Sequence, residues 1–190
     1  MAIAHQRLTF EEFLQLPEQK PALEYRDGVV TSKMSPKGPH GGVQAEVAFL
    51  IKLCLREHPT AQVYTELRTT WAGEASLVPD LSVYHLDRIP VKASGEVADD
   101  FDTPPDLAVE IASPGQSARE VLERARWFVD HGVRAVLLLQ PRDRSARVVR
   151  PDGDTGRLQG DAVVDLGDVL PGFSFVVREL FATLDVRPRG

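Results

Sequence analysis

The sequence predicts a mixed α/β (α+β) fold, a mixed β-sheet flanked by helices with an N-terminal hairpin and extra C-terminal strands. Three patterns predict it. Asp27-Gly28 stands between two strand-like runs in LEYRDGVVTSKM, and both residues of a two-residue hairpin turn favour positive φ. In VQAEVAFLIKLCLREH, the residues Val43, Val47, Leu50, Ile51 and Cys54 recur at helical spacing. After Asp106 a strand-like run, an amphipathic helix and a second apolar strand follow one another, which calls for parallel strands joined by a right-handed crossover.

Thr9 and Glu12 have the spacing of a capping box, opening a short helix through Leu16 that Pro17 ends. The hairpin follows. SPKGPHGG is expected as a loop, and the main core helix runs from it to Pro59. Three strands are expected at 62–67, 77–84 and 106–112. Between the last two, HLDRIPVKASGEVADDFDTPP is polar and rich in Pro and Asp, as a surface loop is. SAREVLERARWFVDHG places Val121, Leu122, Ala125, Phe128 and Val129 on one face and stops at Gly132, a natural residue just past a helix end. VRAVLLLQP suits a strand buried on both faces. RSARVVRPDG is a further strand ending in a turn, followed by edge strands and a closing turn at REL. No repeat or linker interrupts the series, so residues 1–190 are expected to form a single domain.

Composition narrows the function classes. One cysteine, Cys54, excludes an intramolecular disulfide framework and a multi-cysteine zinc site, and its place on the apolar stripe predicts a buried thiol. MAIAHQRLTF lacks the cationic and apolar regions of a secretory signal, and no apolar stretch approaches the ~20 residues that cross a bilayer. The expected location is cytoplasmic, with no membrane partner. A formal charge of −6 argues against a protein that coats DNA, although Arg119/Arg124/Arg126 and Arg142/Arg144/Arg147/Arg150 are local basic clusters. They read equally as solvated faces. Walker-type loops, dinucleotide fingerprints, HExxH and GxSxG are absent.

Alternation within two strands isolates a pair of acids. In PDLAVEIA, Leu107, Val109 and Ile111 face one way while Asp106, Ala108, Glu110 and Ala112 face the other. In LVPDLSVY, Leu77, Leu81 and Val83 form the apolar side, with Asp80 and Ser82 opposite. If these strands are neighbours, Asp80 and Glu110 converge across the ~4.8 Å strand spacing. Two such carboxylates repel unless a cation lies between them, and Mg2+ suits two carboxylates plus substrate phosphate. Asp106 competes with Asp80, but it lies roughly 13 Å along the strand from Glu110, too far to share one ion.

LEYRDG, SPKGPHG before a helix, VPDLSVY, PDLAVEIASPGQSAREVLERARWFVDHGV and GDVLPGFSFVVRELF occur in that order. Over nearly the whole chain this set resembles a bacterial family catalogued as putative restriction endonucleases, formerly a domain of unknown function, within the PD-(D/E)XK nuclease superfamily. The resemblance implies a restriction-endonuclease-like core and Mg2+- or Mn2+-dependent hydrolysis of nucleic acid, usually DNA. It makes Asp80 and Glu110 the metal-binding acids, with the Ile111 carbonyl completing the metal shell. Glu24 corresponds to an acid that extends the site, and His40 to the histidine that opens the first long helix and contacts phosphate or orients a side chain. The motif lysine would fall at position 112, where this chain has Ala112; the corresponding cation is Arg124, on the following helix. Arginine can clamp a phosphate oxygen but is a poor proton carrier. Its bland alternative is an i,i+4 ion pair with Glu120. Lys33 and Lys37 are other cations, expected to be solvated.

Two further classes stay open. One is a catalytically impaired nuclease-fold module that binds metal or DNA without turnover. The other is a structural or interaction protein, motivated by Trp127, which is expected to be exposed opposite the apolar stripe of its helix and there fits a homodimer contact and, equally, packing against a neighbouring loop.

Overall fold

The structure, a computed structural model, describes residues 8–186. The expectation of no secretory signal rests chiefly on residues 1–7, which lie outside the described residues. The Thr9–Glu12 capping box is formed, and it opens a short helix, α1 (Phe10–Leu14). β1 (Leu23–Arg26) and β2 (Val29–Ser32) make the hairpin, with Asp27 at φ 52° and Gly28 at φ 81°. These are the angles of a turn whose twist matches its strands.

α2 (Gly38–Glu57) begins well inside the segment expected to be loop. Pro39 is tolerated in its first turn, because the N–H it lacks would have had no intrahelical partner. His40 therefore belongs to the helix. Val43, Val47 and Ile51 are its buried stripe, while Cys54 is only half buried. The stripe turns toward the surface in the last helical turns.

β3 (Ala61–Thr65) is followed by a second hairpin, β4 (Thr69–Trp71) and β5 (Ala75–Leu77), and then by β6 (Leu81–His85). The strand expected at 77–84 is thus two strands in two sheets. Pro79 has no N–H for a ladder and forces the break. The break also resets the side-chain phase, so Leu77 joins the cluster of Val121, Ala125 and Phe128 rather than that of Leu81 and Val83 as expected. The chain continues through β7 (Leu107–Ile111), α3 (Ala118–Asp130), β8 (Ala135–Gln140) and β9 (Ser145–Arg150). Short strands β10 (Gly153–Asp154), β11 (Leu158–Gln159), β12 (Val163–Asp165) and β13 (Ser174–Val176) precede α4 (Val177–Phe181).

The main sheet has seven strands in the order β10-β9-β8-β7-β6-β3, with β11 also beside β9. Only β7 and β8 pair in parallel; every other pairing in it is antiparallel. The N-terminal hairpin lies in a separate sheet, β2-β1-β5-β4. Leu81, Val83, Leu107, Val109 and Ile111 pack against the buried face of α2 and against Leu166 and Phe181. On the opposite face, Ala108, Ala112, Val136 and Leu138 meet Val121, Ala125 and Phe128 of α3. The alternation read in PDLAVEIA holds, and the sheet is buried on both sides. Among the described residues no helix is long and apolar enough to cross a membrane.

Trp127 departs from expectation. It stacks on His131 at 3.9 Å between ring centroids and meets Trp71 edge-on at 5.2 Å, so its ring is occupied within the chain. The side chain is half-buried, where the sequence predicts it exposed.

Candidate active site

The β6–β7 register pairs Leu81 with Val109, and one residue further on Asp80 falls opposite Glu110. Both are buried, at 1% and 8% exposure. They line a cavity of about 580 Å3, walled by the β1–β2 hairpin, the start of α2 and the near end of α3. Asp106, the rival carboxylate, lies at the other end of β7. It accepts the His85 N–H at 2.9 Å and an Arg88 N–H at 2.5 Å, so it is a structural aspartate with its charge already paired.

Asp80 is held from every side. Its Oδ2 accepts the Ile111 N–H at 2.7 Å. Oδ1 faces Lys33 Nζ at 2.8 Å and His40 Nε2 at 3.3 Å. Its carbonyl accepts from Gln44 Nε2 at 3.0 Å and from the Glu66 N–H at 3.1 Å. Burial alone would raise the Asp80 pKa, but the bond from His40 and the charge of Lys33 outweigh it and hold the carboxyl below its ordinary value. Glu110 behaves oppositely. Burial, reinforced by the charges of Asp80 and Glu24, pushes it up to about 7 against the pull of Arg124 and Lys33.

Arg124 reaches the cavity rather than pairing with Glu120, whose carboxylate caps α3 through Ser117. Its two terminal nitrogens grip Glu24 at 3.0 and 2.7 Å, and Nε lies 3.0 Å from Glu110 Oε1. Burial opposes the guanidinium charge, but Glu110 and Glu24 more than offset it and raise its pKa above the ordinary value. Glu24 Oε1 also accepts the Val78 N–H at 2.8 Å. Glu24 thus ties the β5–β6 connector, which carries Asp80, to α3, and this leaves little of its carboxylate for an ion. His40 spans Asp80 and Ser113 Oγ, the latter 3.3 Å from Nδ1.

Lys33, expected to be solvated, is the residue that sequence reasoning undervalued. Its side chain is 15% exposed and its ammonium lies against Asp80. A signal was present: Val29, Thr31 and Lys33 alternate along one side of the hairpin, and Thr31 is paired with Glu24. Gln44, Glu66 and Ser113 gave no comparable signal, because their contacts depend on tertiary placement.

The donor set suits a hard divalent cation. Among the described residues four buried side-chain N or O atoms have no hydrogen bond of good angle, and three of them, Lys33 Nζ, Asp80 Oδ1 and Glu110 Oε1, converge here. Their contacts are ion pairs: Asp80 Oδ1 with Lys33 and His40, Lys33 Nζ also with Glu66, and Glu110 Oε1 with Arg124. No cluster of three or more His, Cys, Asp and Glu among the described residues could hold an ion alone.

A search of curated proteins gives no match. Among solved structures, the chain is similar to a crystal structure from Anabaena variabilis ATCC 29413 described as a putative nuclease belonging to DUF820. The two share 34% identity over 93% of this chain and 99% of that one, with a TM-score of 0.87. A cryo-EM structure of a DrdV–DNA complex aligns at 12% identity and a TM-score of 0.37, covering 73% of this chain and 11% of that one, too distant a likeness to inform either fold or function. Residues 10–185 match the family described as Uma2, putative restriction endonuclease, and with the mixed sheet and paired acids in view the chain belongs to that family.

Proposed function

We propose that the chain is a metal-dependent phosphodiesterase of nucleic acid, a DNA endonuclease, in which Asp80, Glu110 and the Ile111 carbonyl hold Mg2+ or Mn2+. The observation that carries the reading is the convergence of two buried, incompletely satisfied carboxylates on one open cavity. Buried polar atoms without partners are costly, and they persist where a site needs them. A bound divalent cation supplies polarisation of a phosphoryl oxygen and an activated water.

The other residues keep these acids in place. His40, Ile111 and Lys33 fix the Asp80 carboxylate in one orientation. Arg124, gripped by Glu24, faces Glu110 and limits where its side chain can turn. The fork of Arg124 is largely filled, so its part is to hold Glu110 and not to move a proton.

The test is nicking of supercoiled plasmid and cleavage of single-stranded DNA with Mg2+ or Mn2+. Asp80→Ala/Glu110→Ala is expected to lower the rate at least about 100-fold. Equal activity in the double variant and the wild type eliminates the reading. The engagement of Arg124 with Glu24 favours one second reading, a module that binds metal or DNA without turnover. Metal binding with no cleavage by the wild type would select it.

A further inference from the structure

Position 112 carries no charge, and Arg124 is held by two acids. Of the cations lining the cavity, Arg26 pairs with Asp27, which leaves Lys33 as the flexible cation at the carboxylates. It enters from the end of β2, not from the sheet that carries the acids. Its ammonium has three N–H donors. One contact, to Asp80 Oδ1, is at 2.8 Å; the next, to Glu66 Oε1, is at 3.8 Å; and the nitrogen has no hydrogen bond of good angle. Glu66 is itself fixed beside the site: it holds an unusual φ of 49° and donates its N–H to the Asp80 carbonyl.

Resting on the reading just given, we propose that Lys33 is an exchangeable counter-ion that occupies Asp80 in the metal-free protein and hands it over to the divalent cation. Two cations cannot share Asp80 Oδ1 at contact distance without strong repulsion. When the acids take up their ion, Lys33 swings away from Oδ1 toward Glu66. Lys33 itself lines the cavity, where an incoming phosphate oxygen replaces the lost carboxylate. Lys33 thus competes with metal before substrate arrives and becomes a catalytic residue afterwards, binding charge that develops on the phosphate.

The two halves predict opposite effects from one substitution. Lys33→Met is expected to tighten Mn2+ binding at least about threefold, measured by calorimetry on the full chain without DNA, because a competing like charge is gone. The same variant is expected to cleave at least about 100-fold more slowly in single turnover at saturating Mn2+. A merely structural lysine would weaken both. Lys33→Gln, which keeps a donor but no charge, checks the result if the methionine variant melts early. Unchanged or weaker Mn2+ binding in both variants overturns the proposal, as does unchanged cleavage. Failure of the wild type to cleave at all would remove the hydrolase reading and the substrate half of this one, while the metal titration would still decide the exchange.

Discussion

Asp80 and Glu110 face each other across one strand pair, yet their pKa values move in opposite directions. The difference lies in what each carboxylate touches. Asp80 receives a backbone N–H, an ammonium and an imidazole, all of which favour its ionised form. Glu110 meets only the side of an arginine that is shared with Glu24, and it faces the charge of Asp80. Its pKa near 7 lies above the ordinary 4.5, so between those values the folded chain binds more protons than the unfolded chain. This group's contribution to stability is therefore full below about pH 4.5 and is lost as pH rises through 7. Asp80 contributes in the opposite sense and in a lower window, being lost only as pH falls below its ordinary 3.8. The metal-free wild type is thus expected to lose on the order of 2–3 kcal/mol relative to Glu110→Gln between pH 5 and 7.5. Thermal melts of the two proteins across that range should converge at the acid end and separate at the basic end. Saturating Mn2+ should remove the loss, because the ion favours ionised Glu110. Parallel melting curves for the two proteins would sink the assignment.

At the scale of elements, the hairpin and α3 do most to build the site, and their legibility differed. Asp27-Gly28 announced the hairpin because positive φ is a local demand that few residue pairs meet. Its consequence, an ammonium delivered to Asp80, was not local and went unread, although Thr31 and Lys33 share a face with Glu24. Alternation in β7 placed Glu110 correctly since a strand buried on both faces keeps strict phase. The same reasoning misplaced Leu77, because Pro79 separates it from β6, and it missed β4, a strand of only three residues. Family resemblance, not periodicity, put His40 at the start of a helix and Arg124 at the acids. Gly28 offers a clean test of the hairpin. A Cβ there would meet nothing within 4 Å, so Gly28→Ala costs only the strain of φ 81°. The expected loss is about 1–2 kcal/mol, with Gly28→Asn costing less, read as a lower urea midpoint at unchanged slope. A neutral Gly28→Ala would mean that the turn does not hold this geometry.

For the whole molecule, charge placement decides how nucleic acid could be engaged. The basic clusters that suggested a phosphate-binding surface are largely neutralised. Arg119 pairs with Glu123, Arg126 and Arg147 with Asp154, Arg144 with Asp185 and Arg150 with Asp168. Arg157 and Arg178 are likewise paired, with Asp143 and Asp161. A chain with net charge −6 and paired arginines lacks the broad positive face of a DNA-coating protein. The cations that line the cavity are Arg26, Lys33 and Arg124. Binding through that cavity therefore releases few counter-ions. The affinity for a DNA oligonucleotide, followed by fluorescence anisotropy with Ca2+ in place of Mg2+, is expected to fall with salt at a log–log slope of about −2 to −3. A protein gripping a long stretch of backbone gives about −6 or steeper. Lys33→Met should flatten the slope by about one, whereas Arg144→Met, remote from the cavity lining, should leave it unchanged. A steep slope insensitive to Lys33 would mean that phosphate is bound on another surface, and the cavity would lose its claim to be where nucleic acid enters.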